Sequence, residues 1–148
     1  MRAFPHPRDL CDADPPALRA LGFSQQKAGY LTGLARDFAG GKLTAAALEV
    51  ADDAGAMRML STLRGIKRWS AQYVALRGLG RLGVFPVDDV GAHKHVAAWL
   101  GLPRLDAEAT TALVQRWQPY AGLVYFHVLL KRLEETGHLR IDASAASE

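Results

Sequence analysis

The amino-acid sequence predicts an all-α protein, a bundle of about seven short helices, on three observations. Apolar residues recur at spacings of three and four along most of the chain, which is typical of one buried helix face. No run alternates apolar and polar residues with a period of two, and the β-branched residues are scattered. Glycine and proline interrupt the periodic stretches at short intervals, so we expect the individual helices to be short.

The N-terminal residues 1–16 hold four of the seven prolines of the chain. Because proline is excluded from helix interiors, we expect an irregular proline-rich lead-in over this segment. Pro15 and Pro16 suit the first turn of a short helix through residues 17–21, which stops at Gly22.

Small polar residues and glycines mark the ends of the next three predicted helices. Ser24 is a candidate N-cap for a helix that ends at the pair Gly40–Gly41. Thr44 is a candidate cap for a second short helix, and Asp52 or Asp53 for a third.

In the second half of the chain, the segment GRLGVFPVDDVG predicts an irregular connection between helices. A helix follows it and ends at Gly101, and Asp106 caps the next one, which Pro119 interrupts. The stretch AGLVYFHVLLKRLEE is apolar nearly all round until Lys131, which predicts a central buried helix. Residues 137–148 are small and polar, and we expect a disordered tail there.

Composition and charge limit the class of protein. A chain of 148 residues with 49% hydrophobic and 22% charged residues is typical of one soluble globular domain. Its formal charge of +3 and its pI of about 9.2 are compatible with a nucleic-acid partner without being evidence for one. The single cysteine, Cys11, excludes an internal disulfide and a cysteine-based zinc site. The sequence has neither a signal-peptide pattern nor an apolar segment of membrane-spanning length, so we expect a cytoplasmic protein without a membrane partner.

The segment LRGIKRWSAQYVALRG, residues 63–78, places a glycine turn between two helical patterns. Gly65 can adopt a positive φ without steric cost, and the N–H groups of Gly65 and Lys67 have no partner within a helix. These amides can hold an anion, because the helix dipole and the charges of Lys67 and Arg68 lie beside them. A helix, a glycine hairpin and a second helix form the pattern of a helix–hairpin–helix motif, which grips a DNA phosphate through main-chain amides. The turn alone leaves open the alternative of an ordinary helix–helix connection.

After the hairpin, the apolar-proline loop FPVDD leads to two acids at a helix start. The hairpin, the loop and the acids, in that order, resemble the helix–hairpin–helix DNA glycosylase superfamily. Within it, they resemble the 3-methyladenine DNA glycosylase II (alkylbase glycosylase) branch. The stretches ALGFSQQKAGYLTGLA and QRWQPYAGLVYFHV extend the resemblance to roughly residues 3–136. It implies that residues 17–136 are a partial glycosylase domain, one part of a two-lobed fold, in a chain truncated at its N-terminus.

The resemblance implies a catalytic role for Asp89, the second acid after the proline loop. A carboxylate there would stabilise the positive charge that develops on the sugar when an N-glycosidic bond breaks, and would help to activate water. Asp88 is interpreted as an N-cap without a chemical role. At the position where strand-nicking relatives carry a nucleophilic lysine, this sequence has Trp69, which implies a monofunctional enzyme.

The resemblance also implies which residues contact the substrate. Trp69 and Tyr73, one helical turn apart, would line a pocket for the flipped base, although on spacing alone they fit the core as well. The candidate DNA-binding residues surround the hairpin: Gly65, Ile66, Lys67, Arg68 and Ser70.

The hairpin departs from the family's usual Leu-Pro-Gly-x-Gly, because Arg64 and Lys67 replace the proline and the second glycine. No metal or cofactor is expected, apart from a monovalent cation, which the resemblance implies that the main-chain carbonyls of the hairpin could hold.

Three histidines and the other two tryptophans are given no role in the reaction. His93 and His95 are two residues apart on a helix and therefore face different sides, so we expect them at the surface or facing DNA. His127, Trp99 and Trp117 are expected in the core.

The sequence thus predicts a base excision repair enzyme. It would be a monofunctional DNA N-glycosylase that hydrolyses alkylated purines from double-stranded DNA and acts as a monomer. A catalytically incompetent DNA-binding fragment of the same family is the alternative, and a helical domain without a nucleic-acid role is a third.

Overall fold

The computed structural model describes residues 5–138, and these residues form nine α-helices and one 3₁₀ helix without any strand. The all-α prediction is therefore confirmed. In chain order the helices are α1 Pro7–Leu10, α2 Pro15–Ala20, α3 Gln25–Ala39, α4 Ala45–Val50, α5 Asp53–Ser61, α6 Arg68–Leu79, α7 Val90–Trp99, α8 Ala107–Val114, the 3₁₀ helix Gln115–Trp117, and α9 Ala121–Glu135.

Helix α1 lies inside the lead-in that was expected to be irregular, and the expectation is wrong for this turn. The imidazole Nδ1 of His6 accepts a hydrogen bond from Arg8 N at 3.2 Å, and Asp9 Oδ2 accepts one from His6 N at 2.8 Å. This reciprocal capping box satisfies two backbone donors, and Pro7 stands at the first helical position, where its missing N–H has no effect. Residues 1–4 lie outside the described part of the chain.

Four predicted N-caps form the expected bonds. Ser24 Oγ accepts from Lys27 N, Thr44 Oγ1 from Ala47 N, Asp52 Oδ1 from Gly55 N and Asp106 Oδ1 from Ala109 N, at 2.6 to 3.2 Å. The choice between Asp52 and Asp53 is thereby settled in favour of Asp52. Each bond satisfies a donor that the first turn of a helix leaves without a partner.

The described residues form two compact units, which are divided after residue 71, inside α6. In the first unit, α3 packs against α1 and α2, and α4 packs against α5. The buried apolar side chains of this unit include Leu18, Ala28, Ala35, Leu48, Leu60 and Leu63. No linker marks the division in the sequence, because the boundary lies within a helix.

In the second unit, α7 packs against α9, and the 3₁₀ helix packs against both α8 and α9. The first turn of α9 lies directly on the chain segment before α7, where Gly122 N donates to Leu82 O at 2.7 Å. A Cβ on Gly122 would lie 2.7 Å from the carbonyl oxygen of Leu82 and 2.9 Å from that of Val84. The close backbone approach therefore requires glycine at this position.

Helix α9 is buried on one side only, which corrects the expectation of a helix buried all round. Its buried residues are Ala121, Gly122, Tyr125 and Val128, whereas Leu123, Leu130 and Leu133 are 42% to 44% exposed. His127 is exposed on the same helix, and Trp99 at the end of α7 is 46% exposed, so the core interpretation is wrong for both.

Trp117 is half-buried, with its ring 6.2 Å from that of Phe85. Within residues 5–138, no helix combines the length and the apolar character that a bilayer crossing requires. Most of the predicted tail, residues 139–148, lies outside the described chain.

Candidate functional site

The hairpin of the first unit has the predicted glycine geometry. Gly65 has φ +91°, and Ile66 N donates to Leu63 O at 3.1 Å, which closes the turn. The ring of Tyr30 covers the glycine, because a Cβ there would lie 2.6 Å from Tyr30 Cγ. Glycine is therefore required twice, for its φ and for the contact with Tyr30, and the second reason was not visible in the sequence.

The N–H groups of Gly65 and Lys67 donate no backbone hydrogen bond among residues 5–138, whereas Ala71 N donates to Lys67 O at 2.9 Å in the first turn of α6. Every non-glycine residue of the described chain has a negative φ, so Lys67 takes the place of a glycine without left-handed backbone.

The cationic side chains of the hairpin face solvent. Arg64, Lys67 and Arg68 are exposed, and the Arg64 guanidinium carbon lies 6.0 Å from the centroid of the Tyr30 ring. Ile66 and Ser70 are half-buried. Together with the two amides and the positive end of α6, these cations form a surface that suits an anionic group.

The two candidate pocket aromatics lie on α6, one on each side of the division between the units. Trp69 is 40% exposed, which argues against the interpretation that it fills the core. Tyr73 is half-buried, and its hydroxyl accepts a hydrogen bond from Arg77 Nη1 at 2.6 Å. A cleft of about 370 Å³ opens beside Tyr73 and is also lined by Arg77, Leu129, Arg132 and Leu133.

The N-cap of α7 is Asp89, and the assignment of that role to Asp88 is wrong. The helix begins at Val90, so the residue before it has the extended backbone of a cap, and Asp89 Oδ1 accepts from Ala92 N at 3.0 Å. The side chain of Asp89 is half-buried. The positive end of α7 favours an ionised carboxylate at this position.

The second oxygen of Asp89 accepts a hydrogen bond from Tyr125, a residue for which the sequence predicted no role. Tyr125 Oη donates to Asp89 Oδ2 at 2.6 Å from a side chain that has no exposed surface. Burial raises the pKa of the Tyr125 phenol, and the hydrogen bond to Asp89 raises it further. The signal that could have found Tyr125 is a hydroxyl on the otherwise apolar buried face of α9.

The loop that leads to Asp89 is fixed from two sides. Val87 N donates to Gln72 Oε1 at 3.2 Å, and Val87 O lies 2.6 Å from His93 Nε2. His93 is 8% exposed, so its expected position at the surface is wrong. His95 is partly exposed, and its Nε2 lies 3.8 Å from a carboxylate oxygen of Glu135.

Comparisons with known proteins give a consistent result. The model of the family described as "HhH-GPD superfamily base excision DNA repair protein" matches residues 1–119. DNA-3-methyladenine glycosylase 2 of Escherichia coli K12 is 34% identical to this chain over 126 residues, which are 84% of this chain and 42% of that protein. The chain thus spans less than half the length of this curated relative.

Solved structures show the same fold. Schizosaccharomyces pombe 3-methyladenine DNA glycosylase (Mag1), solved in complex with abasic DNA, superposes with a TM-score of 0.78 at 23% sequence identity. The superposed region covers 88% of this chain and 65% of the Mag1 chain. The 3-methyladenine DNA glycosylase of Archaeoglobus fulgidus superposes with a TM-score of 0.72 at 26% sequence identity. That superposition covers 86% of this chain and 43% of the Archaeoglobus chain.

Proposed function

Because this chain belongs to the HhH-GPD superfamily of base excision DNA repair proteins, we propose that it is a monofunctional DNA N-glycosylase acting on alkylated purines of the 3-methyladenine type. The observation that carries the proposal is the carboxylate of Asp89. It stands at the N-terminus of α7, where Oδ1 accepts a hydrogen bond from Ala92 N and Oδ2 accepts one from Tyr125 Oη.

The reaction needs an anion near the sugar. When the bond between C1′ and the base nitrogen breaks, the electron pair leaves with the base and positive charge develops on the sugar ring. The ionised Asp89 stabilises that charge. Water then forms the new bond to C1′ and loses its proton to the carboxylate or to solvent, so that the products are the free base and an abasic site.

Trp69 supports the choice of water as the nucleophile. An indole cannot attack a sugar carbon as a lysine amine does, and the chain has tryptophan at this position. The proposed enzyme therefore releases the base without nicking the strand.

The hairpin is the proposed contact with duplex DNA, and we propose that the protein acts as a monomer. The amides of Gly65 and Lys67 donate no backbone hydrogen bond among the described residues, and they suit a phosphate oxygen. The charges of Lys67 and Arg68, the hydroxyl of Ser70 and the turn at Ile66 complete this surface.

Trp69 and Tyr73 are the proposed contacts of the extruded base. Electron-rich rings stack favourably on an alkylated purine that carries a positive charge. The exposure of Trp69 and the cleft beside Tyr73 support this role.

We also propose that the hairpin holds a monovalent cation. The carbonyl oxygens of Gly65 and Ile66 accept no backbone hydrogen bond among residues 5–138, so main-chain oxygens suited to such an ion are present. A bound cation would add positive charge to the hairpin.

Removal of the Asp89 charge tests the function. In the parent chain, we expect release of 7-methylguanine or 3-methyladenine from a methylated duplex, measured as alkali-labile abasic sites. Asp89→Asn should lower the single-turnover rate by about 100-fold or more, because one charge that stabilises the transition state is lost. Affinity for duplex DNA should persist in this variant.

Asp88→Asn is the matched control, since it neutralises the neighbouring acid, and it should keep the parent rate. An Asp89→Asn protein that excises at the parent rate contradicts the proposal. A parent chain that binds abasic DNA without releasing any base supports the second candidate, a DNA-binding module without chemistry.

A further inference from the structure

The side chain of Tyr125 places a polar atom on an apolar helix face. The other buried residues of α9 are Ala121, Gly122 and Val128, and Tyr125 itself has no exposed surface. A buried hydroxyl without a partner is unfavourable, and a phenylalanine would fill the same space without that penalty. The hydroxyl of Tyr125 therefore has a use, and its partner is the carboxylate of Asp89 at 2.6 Å.

Two aromatic neighbours fix the direction of this hydroxyl. The Tyr125 ring packs edge-on against Phe85, with centroids 5.2 Å apart, and against Tyr73, with centroids 6.3 Å apart. Both pairs are nearly perpendicular, at 80° and 85°. Such contacts restrict a ring from two sides, so the donor is in place before any substrate arrives.

Ala92 N and Tyr125 Oη reach different oxygens of the Asp89 carboxylate. Ala92 N donates to Oδ1 and Tyr125 Oη donates to Oδ2, and donors on both oxygens restrict the rotation of the group more than a cap bond on one oxygen does. Gly91 leaves room for the arrangement, because a Cβ there would lie 3.1 Å from Asp89 Oδ1.

We infer that Tyr125 is a positioning residue that orients the carboxylate of Asp89 and favours its ionised form, an inference that rests on the proposed function of Asp89. Tyr125 acts through Asp89, because its side chain has no exposed surface. A hydrogen bond to an ionised carboxylate stabilises the charged form, and the fixed plane aims that charge in one direction.

A positioning hydroxyl and a purely structural hydroxyl at Tyr125 differ in what their loss affects. A structural hydroxyl affects only the free energy of unfolding. A positioning hydroxyl also affects the chemical step and its pH dependence, because the carboxylate without its donor is easier to protonate.

Tyr125→Phe keeps the ring and removes the hydroxyl. In single-turnover excision from a methylated duplex, we expect the rate to fall about tenfold, while the dissociation constant for DNA is unchanged. Tyr73 and Arg132 are the other titratable groups that act on Tyr125, and both stay in place in this variant. The acidic limb of the pH–rate profile should therefore move to higher pH by about one unit. Tyr120→Phe is the matched control, since it removes a hydroxyl from a side chain that is 60% exposed just before α9, and it should leave rate and profile unchanged.

A second measurement does not depend on activity. The side-chain carboxyl ¹³C resonance of Asp89, assigned by its loss in Asp89→Asn, is titrated in the parent and in Tyr125→Phe. A midpoint that moves to higher pH in the variant supports the inference, and an unchanged midpoint overturns it. If the parent chain releases no base, the proposed function fails, and the titration still decides whether Tyr125 holds the carboxylate.

Gly91→Ala tests the geometry if Tyr125→Phe does not fold. Its Cβ would lie 3.1 Å from Asp89 Oδ1 and 3.2 Å from Arg132 Nη1, so we expect it to displace the carboxylate while Tyr125 stays intact. We expect a loss of rate with unchanged DNA affinity, and a parent-like rate would overturn the claim that the orientation matters.

Discussion

Two buried threonines differ in whether their hydroxyl has a hydrogen-bond partner. Thr32 Oγ1 in α3 donates to the carbonyls of Ala28 and Gly29 at 3.2 and 3.3 Å. Thr110 in α8 has no exposed surface, and its Oγ1 has no hydrogen-bond partner among the described residues. A buried polar group without a partner destabilises the fold.

Replacement of Thr110 by valine should therefore stabilise the protein. Thr110→Val keeps the shape and removes the unsatisfied hydroxyl, and we expect the free energy of unfolding to rise by about 1 kcal/mol in urea titrations. Thr32→Val is the control and should lower the same quantity by up to about 1 kcal/mol, since it removes a bonded hydroxyl. A larger destabilisation by Thr110→Val than by Thr32→Val would contradict this view of Thr110.

Single residues of the site differed in how far the sequence could predict them. Asp89 was identified as the candidate acid from its place after a proline loop, but its role as the cap was given to Asp88, because a sequence does not fix a helix start to one residue. Tyr125 and Tyr30 were missed, because their roles arise from contacts with Asp89 and Gly65, which are distant in the chain. Local pattern carries no information on such contacts.

Among the helices, the sequence predicted most of the first residues but fewer of the faces that are buried. Caps such as Ser24 and Thr44 are local signals, because the side chain and the amide it binds are three residues apart. The burial of α9 was predicted wrongly, because an apolar sequence does not show which faces find a neighbour. Helix α1 was missed, because the prolines suggested irregular chain, whereas Pro7 begins a helical turn.

The hairpin between α5 and α6 yields a prediction for glycine replacement. Gly65→Ala and Gly41→Ala both place a Cβ at positive φ, +91° and +73°, which costs about 1–2 kcal/mol each. At Gly65 the new Cβ also meets the Tyr30 ring at 2.6 Å, whereas nothing lies within 4 Å of it at Gly41. We expect a loss of unfolding free energy above about 2 kcal/mol for Gly65→Ala, and a smaller loss for Gly41→Ala.

Chemical denaturation of both variants measures the difference, and duplex-DNA affinity should fall for Gly65→Ala alone. Equal losses of stability for Gly65→Ala and Gly41→Ala would show that the Tyr30 ring moves aside at little cost and does not stabilise the turn.

At the scale of the whole molecule, the net charge of +3 is small, so any affinity for DNA must come from where the cations stand. Counterion release makes such affinity fall as salt rises, with a log–log slope of about −0.9 for each phosphate contacted. The exposed cations of the hairpin are the proposed source of this slope.

Loss of one hairpin cation should reduce the salt dependence by one contact. For Lys67→Ala, we expect the slope of log affinity against log salt to become less negative by about 0.9, measured by fluorescence anisotropy on a duplex. Lys42→Ala is the control, because Lys42 is paired with Asp37 at 3.3 Å, and it should leave the slope unchanged. Equal slopes for the parent and Lys67→Ala would show that Lys67 does not contact a DNA phosphate.

The main-chain bond from Gly122 to Leu82 has a consequence for how the second unit folds. Helices form rapidly from contacts close in sequence. This bond, in contrast, requires the intervening chain, which includes α7 and α8, to close into a loop first. The docking of α9 onto residues 82–84 is therefore the step whose speed is governed by topology rather than by helix propensity.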